Sequence, residues 1–373
     1  MRSPVASVLH RLVGPSVLSA VIVAFVRCSA TGDSTSSIGP TGGGDAGTNE
    51  SDTGFKLPGD SGTAPSLPRV LAVVHAADIF DFRVCFATSS TADGATFDVI
   101  DGNPLPDDPL RPMPQANYPG IGRGNGAIVA PEIASGSAFV IPFLVDAFVL
   151  TKHAGDDCKK ILGCSGVACV QSPTERVKLP GIPSADLLGG GTRLLAVRGS
   201  GATLAMTVIR VDGMPAPAPA IGGQLAHLAP TLPRLAATYG AADGGGASLG
   251  SAAFGAAGPS NLGLTRPDDV KGMDLYGSMG VALSLAGSPD GGTDAGSSSP
   301  FFFSSLAAIQ QASDPSLPPN ELFKPGASYV FVVTGDPTVP KTIDGGANPD
   351  YPSHGLHVIA IRSSAPVGDG GAF

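Results

Sequence analysis

Glycine and proline constrain the fold of this chain more than any other feature. The 373 residues include 52 glycines and 35 prolines. Both disfavour helix interiors, glycine through backbone entropy and proline through a lost N–H and a steric clash. Short strands joined by many turns suit such a composition better than long helices. Because hydrophobic residues still make up 42% of the chain, a sizeable core is available and we predict an all-β protein.

The charge balance bears on the class of partner. Only 14% of the residues are charged and the net charge is −9. Recognition of a phosphate backbone needs clustered Lys and Arg, which this chain lacks. We therefore expect no nucleic-acid partner.

Residues 1–30 have the pattern of a signal peptide. A basic start containing Arg2 and Arg11 precedes the apolar run 12–26, which is shorter than the ~20 residues of a membrane span. Small residues favour cleavage after Ala30. "FVRC" also resembles a bacterial lipobox with Cys28 as the lipidated residue, although Arg27 departs from that pattern. We rank soluble export ahead of the lipid anchor. Both routes lead to the cell envelope, periplasm or exterior of a bacterium, with membrane contact only through the signal peptide or an outer-membrane anchor.

The remaining cysteines indicate disulfides. They are Cys85, Cys158, Cys164 and Cys169. An even number in an exported chain predicts two bridges with three connectivities open. In one pairing Cys164–Cys169 closes a small loop and Cys85–Cys158 ties an early strand to a later segment. The gaps do not form the CxxC pairs of zinc modules, and we predict neither a metal nor a cofactor.

Residues 31–68 contain few large apolar side chains and are expected to be a flexible linker. This segment holds Gly59-Asp60-Ser61-Gly62, the tetrapeptide around the nucleophile of many serine proteases. A nucleophile needs a rigid position, a nearby base and an oxyanion hole. Ser61 precedes every predicted strand that could supply them, so we interpret it as a linker residue.

The rest of the chain repeats itself. "LAVVHAADIFDFRVCFA" is paralleled by "QLAHLAPTLPRLAATYG", and "LLGGGTRLLAVRG" by "LFKPGASYVFVVTG". We predict two tandem antiparallel, immunoglobulin-like sandwiches at 69–212 and 223–362, joined by a hinge at 213–222 and followed by a disordered tail at 363–373.

Period-2 alternation places individual strands within these modules. Phe82, Val84 and Phe86 alternate with more polar neighbours, which predicts a half-buried strand over 80–88. Two further strands are predicted at 138–141 and 143–152, with Pro142 between them.

"VLAVVHAADIFDFRVCF" and "GASYVFVVTG" resemble the signature of a family of exported bacterial β-sandwich domains of unknown function. Its modules open with an apolar strand, continue with His-Ala-x-Pro-Asp and then with a strand reading Asp-Val-x-Val. The first module lacks the proline, since Asp78 directly follows Ala77, whereas the second keeps Pro230. The resemblance implies a surface-located or lipid-anchored protein without established catalytic residues.

Two histidines repeat at one point of the motif. His75 with Asp78 could form part of a catalytic triad, and His227 occupies the matching position of the second module. The chain contains no G-x-S-x-G nucleophile elbow. We favour a structural role for both histidines, each fixing the turn that follows.

Two other groups of residues could either bind a metal ion or have only a structural role. His354 and His357, with Tyr351 nearby, suggest a metal, but positions three apart on a strand point to opposite faces. Calcium could use oxygen-rich loops, although none has EF-hand spacing; the carboxylates concerned are Asp101, Asp107, Asp108, Asp290 and Asp294.

Three further stretches are placed by composition alone. "GIGRGNG" at 120–126 lacks the spacing of a phosphate-binding loop. We expect "FFFSS" at 301–305 to lie in the core, with any exposed part available as a contact patch. A short helix within 304–314 should be capped by Ser304 or Ser305.

The sequence therefore favours a non-enzymatic exported module that binds an unknown protein or glycan at the cell surface, without catalytic residues. An exported hydrolase with a site near the inter-module histidines and a calcium-dependent adhesion module remain alternatives.

Overall fold

Extended strands dominate the computed structural model. It describes residues 69–106, 120–133, 136–147, 150, 156–163, 176–266, 275–286, 299–314, 317, 321–343 and 346–364, all within one compact unit of residues 62–373. The predicted signal peptide with Cys28, the linker with Ser61, and Cys164 and Cys169 lie outside the described residues.

The strands follow one another closely along the chain. They are β1 Arg69–Ala77, β2 Phe82–Ser89, β3 Asp98–Val99, β4 Gly126–Val129, β5 Phe139–Asp146, β6 Arg176–Lys178, β7 Ile182–Pro183, β8 Gly191–Gly199, β9 Ala205–Val211, β10 Ile221–His227, β11 Leu235–Ala241, β12 Gly246–Ala252, β13 Ala256–Leu264, β14 Met279–Leu285, β15 Phe302–Ser305, β16 Ser328–Thr334, β17 Thr342–Ile343, β18 Gly346–Ala347 and β19 His357–Ser364.

The helices that lie wholly within the described ranges are short. They are α1 Cys158–Leu162, α2 Ser184–Leu188, α3 Leu275–Ser278, α4 Leu306–Ser313 and α5 Tyr351–His354. The helix predicted within 304–314 is confirmed as α4, where the Ser305 side chain accepts a hydrogen bond from the Ala308 N–H.

Two sandwiches with one strand order make up the structure. In the first, sheet A runs β4-β1-β8-β9 and faces sheet B, β3-β2-β5-β6, with β7 also on β5. In the second, sheet C runs β13-β10-β16-β19 and faces sheet D, β12-β11-β14-β15. Taken in chain order, the strands of the second sandwich occupy the same places as those of the first. The all-β sandwich class is thus confirmed.

One pair in each sandwich departs from the predicted antiparallel arrangement. β1 pairs with β8 in parallel, and β10 pairs with β16 in parallel. Parallel partners need a long crossover connection. In each sandwich the strands of the facing sheet provide that crossover, because the chain passes through sheet B or sheet D before it returns.

Apolar side chains on alternate faces of the strands fill three spaces between the sheets. In β1, Leu71 and Val73 point into the first sandwich with Val197 of β8, whereas Ala72 and Val74 pack against sheet C. Sheet C contributes Val330 and Val332, among others, to this contact. The layers therefore stack in the order B, A, C, D, and both inner sheets are buried on both faces. Continuous apolar runs such as "VLAVV" are typical of strands in that position.

The segment predicted as a hinge is hydrogen-bonded to the second sandwich. The Ala216 N–H donates to the Gly326 carbonyl over 3.0 Å, and the Ser328 hydroxyl donates to the Met214 carbonyl. The boundaries 69–212 and 223–362 stay predictions, although β19 extends through Ser364 into the predicted tail.

The predicted half-buried strand is in fact buried on both faces. Phe82, Val84 and Phe86 fill the core of the first sandwich, while Cys85 packs on the outer face of sheet B beneath Ile161 of α1. The pattern misled because α1, which covers this face, lies far along the chain.

The predicted strand break at Pro142 is wrong. β5 continues through this residue, whose carbonyl accepts a hydrogen bond from the Leu179 N–H over 3.0 Å. Pro142 lies where β6 has ended and β7 has not begun. At this gap the missing proline N–H interrupts no continuous ladder.

The expectation that "FFFSS" lies in the core is also wrong in part. Phe301 is 44% exposed and Phe302 is half-buried. β15 pairs with β14 and is an edge strand of sheet D. An edge strand covers its side chains less completely than a central one.

Candidate functional site

His75 is used to build a turn. It is fully buried at the end of β1. Its Nδ1 accepts a hydrogen bond from the Ala77 N–H over 3.4 Å, and its Nε2 lies 3.2 Å from the Phe80 carbonyl oxygen. Since Nδ1 accepts, Nε2 carries the hydrogen and donates. The neutral ring thus satisfies both backbone groups, as the predicted turn-fixing role requires.

His227 makes the same connections in the second sandwich. Its Nδ1 accepts from the Ala229 N–H over 3.3 Å. Its Nε2 lies 2.6 Å from the Pro233 carbonyl oxygen and 3.3 Å from that of Leu232. The local sequences after the two histidines differ, yet the ring closes the turn in the same way.

Burial determines the protonation state of both rings. It lowers the pKa of His75 to about 3, and it also lowers the pKa of His227. A protonated ring would in addition place an N–H at Nδ1 against another N–H donor. Both histidines are therefore neutral near pH 7 and have both nitrogens occupied by backbone.

Asp78 does not orient His75 as a catalytic dyad would require. Its carboxylate forms an ion pair with the Arg123 guanidinium, while the His75 nitrogens contact backbone groups. This arrangement does not support a catalytic triad that contains His75 and Asp78.

His354 and His357, the pair considered for a metal site, contact different partners. The Nδ1 of His354 contacts the Ser353 hydroxyl over 2.8 Å. The two ring nitrogens of His357 lie 2.7 Å from the Gly355 carbonyl oxygen and 2.8 Å from that of Gly124. Across the described ranges, no three His, Cys, Asp or Glu side chains are grouped to hold a metal ion. Tyr351 instead donates its hydroxyl hydrogen to the Leu356 carbonyl.

The glycine-rich stretch 120–126 forms a contact between the sandwiches. Gly124 has φ +82° and packs against the His357 ring, so that a Cβ there would stand 2.6 Å from Nε2 and closer still to Cε1. The motif thus accommodates a side chain of the second sandwich, which explains a glycine at this position without any phosphate.

A disulfide joins Cys85 to Cys158, so this predicted pairing is confirmed. The bridge holds α1 against the outer face of sheet B, where Ile161 and Leu162 are buried. Beside it, Lys159 forms an ion pair with Asp101, one of the carboxylates considered for calcium. Asp107, Asp108, Asp290 and Asp294 lie outside the described residues.

A hydroxyl-lined cleft opens at the end of sheet B. Its volume is about 450 Å³, and it is lined by Thr88, Ser89, Ser90, Thr96, Phe97, Asp98, Gly136, Ser137 and Ala138. The Ser89 hydroxyl donates to the Thr96 carbonyl over 2.6 Å. Thr88, Ser90 and Asp98 have no side-chain hydrogen bond to any part of the chain that the structure describes, so these groups can bind a ligand.

The loop 90–97, whose ends Ser90, Thr96 and Phe97 line the cleft, is held in place by several bonds. The Lys178 ammonium of β6 donates to the Asp93 and Gly94 carbonyls over 2.9 and 3.4 Å, and the Gly181 N–H donates to the Ala92 carbonyl over 2.8 Å. Phe97 packs on Phe143 with ring centroids 4.8 Å apart. These bonds hold the loop on one side of the cleft.

Sequence reasoning missed this cleft. The stretch "TSSTADGAT" at 88–96 is dense in hydroxyls, but serine and threonine are equally typical of turns. Residues 136–138, which complete the cleft, are distant in sequence.

Comparison with protein-family models finds no match, and comparison with curated proteins finds none either. Among solved structures, the chain matches the crystal structure of a "putative cell adhesion protein" from Bacteroides eggerthii. The match has 12% sequence identity and a TM-score of 0.19, over 82% of this chain and 99% of that one. So remote a likeness adds nothing to the geometry above. Within the described ranges, none of the helices is both long and apolar enough to span a membrane.

Proposed function

We propose that the protein is an exported β-sandwich module that binds its partner through a surface cleft and performs no bond chemistry. The observation that carries the proposal is the cleft of about 450 Å³ on the first sandwich, beside which Lys178 and Gly181 hold the loop 90–97. A fixed loop lowers the ordering cost of binding.

The disulfide and the N-terminal sequence support an extracytoplasmic location. Bridges such as Cys85–Cys158 form and persist in oxidising compartments and are rare in the cytosol. The signal-like residues 1–30 and the resemblance to exported sandwich domains agree with this location. Lipidation of Cys28 is the alternative to free secretion.

The structural use of the histidines favours a binding module over the alternative hydrolase. A general base must reach the proton it removes, whereas His75 and His227 direct both ring nitrogens at backbone groups. The calcium alternative is weakened because Asp101, one of its candidate ligands, forms an ion pair with Lys159.

Fractionation of bacteria that express the full chain tests the location. We expect the processed protein outside the cytoplasm, with Cys85 and Cys158 blocked to maleimide until a reductant is added. A variant without residues 2–30 is the matched control and should remain in the cytoplasm. Recovery of the full chain from the cytoplasm with both thiols reactive would refute the proposal.

A further inference from the structure

The cleft on the first sandwich offers hydrogen-bonding groups with almost no charge, and we propose that it binds a neutral glycan. This inference rests on the proposed function, because it names the ligand class of the same cleft.

Hydroxyl groups dominate the lining. Five of the nine lining residues are serine or threonine, of which Ser89 is engaged by the Thr96 carbonyl and the Thr91 N–H. A hydroxyl can donate one hydrogen bond and accept two. Sugar hydroxyls have the same capacity, so the two surfaces can match in either direction of donation. A ligand with only donors or only acceptors would leave part of this capacity unused.

Asp98 decides between classes of polar ligand. Among the described residues that line the cleft, it is the only charged one. A carboxylate accepts hydrogen bonds from neighbouring hydroxyls and repels anions. Two ammonium groups lie nearby and both are engaged. Lys178 donates to the Asp93 and Gly94 carbonyls. Lys159, which interacts with Asp98, forms an ion pair with Asp101. The charge pattern therefore favours a neutral polyol over a phosphorylated or acidic polymer.

Apolar surface and size agree with the same ligand. The exposed Ala138 contributes apolar lining that can contact the C–H face of a sugar ring, whereas Phe97 of the lining is only 5% exposed. The volume of about 450 Å³ falls in the range of small-molecule sites, roughly 300–1,000 Å³.

Calorimetric titration of the full, disulfide-bonded chain tests the inference. The probes are three neutral hexasaccharides, cellohexaose, chitohexaose and mannohexaose, with polygalacturonate as a polyanion and spermine as a polycation. We expect at least one neutral hexasaccharide to bind with a Kd below about 1 mM.

Three variants connect that binding to the cleft. Asp98→Asn keeps the shape and removes the charge, and should weaken binding about tenfold. Ala138→Trp should fill the cleft and abolish saturable binding. Asp212→Asn, which changes an exposed carboxylate just after β9, is the matched control and should bind like the parent. If Asp98→Asn melts at a lower temperature than the parent, its weaker binding could reflect partial unfolding. Ser90→Ala then tests the cleft at a second exposed position and should also weaken binding.

Three outcomes would overturn the inference: no binding of any hexasaccharide, binding of polygalacturonate or spermine alone, or hexasaccharide binding that survives both Asp98→Asn and Ala138→Trp. None of these outcomes depends on cellular location. Fractionation can therefore uphold the exported module while the glycan inference fails.

Discussion

His75 and His227 make the same two backbone contacts, one in each sandwich. Each accepts from the N–H two residues later, at Ala77 or Ala229, and each Nε2 approaches a carbonyl five residues later. Strand pairing places His75 opposite Val197 and His227 opposite Val333. The repeated histidine thus marks one structural position used twice.

Removal of either ring should destabilise the fold. In His75→Ala, the buried Ala77 N–H and Phe80 carbonyl lose their partner and a cavity forms. We expect a loss of about 3 kcal/mol in the free energy of unfolding, measured by urea denaturation. His354→Ala is the control and should cost below about 1 kcal/mol because its ring is less buried. An equal loss in both variants would contradict this role.

The pH dependence of stability follows from the same rings. Burial lowers the pKa of His75 to about 3 and also lowers that of His227, so below pH ~6.5 the unfolded chain binds more protons than the folded one. Stability is fully present above pH ~6.5 and decreases as the pH falls. For His75 alone the loss between pH 7.5 and 5 should be about 2 kcal/mol.

Denaturation at several pH values between 7.5 and 5 measures this slope before most carboxylates titrate. In His75→Gln the slope should be shallower, since glutamine does not titrate. A stability that is flat or rises towards pH 5 would show that the rings are protonated in the folded state.

The disulfide should contribute strongly to stability. Cys85 and Cys158 are 73 residues apart, and a bridge that closes such a loop restricts the unfolded chain by about 4 kcal/mol. The double variant Cys85→Ser/Cys158→Ser should therefore unfold at a much lower denaturant concentration than the parent under oxidising conditions. Identical midpoints would mean that the bridge does not form.

Gly124 should tolerate no side chain while His357 is present. Gly124→Ala places a methyl group against the His357 ring at φ +82°, and we expect a loss of about 3 kcal/mol. Gly136→Ala is the matched control, because Gly136 has φ +98° with nothing within 4 Å of a Cβ. It should lose only the backbone cost of about 1 kcal/mol.

A double-mutant cycle separates the contact from the backbone strain. In Gly124→Ala/His357→Ala the clash is absent, so the combined loss should be smaller than the sum of the two single losses. Additive losses would show that the ring does not contact this glycine.

The sequence predicts strands well where apolar runs carry the signal, as in β1 and β16, and it locates the histidine turn. It does not predict that β1 pairs with β8, because pairing depends on distant segments. The prediction that β2 is buried on one face only was wrong for the same reason, because the helix that covers its other face contains Cys158, far along the chain. The cleft escaped notice because the hydroxyls of Ser90 and Thr96 have no pattern that distinguishes a ligand site from a turn.

Hydrogen exchange of the disulfide-bonded chain tests the central claim, that sheets A and C join two sandwiches into one body carrying the cleft. Amides of β1, β8, β10 and β16 should exchange through one opening of equal free energy, because Val74 and Val332 share a buried contact. Exchange of the β1 and β8 amides at a much lower free energy than those of β10 and β16 would contradict the account.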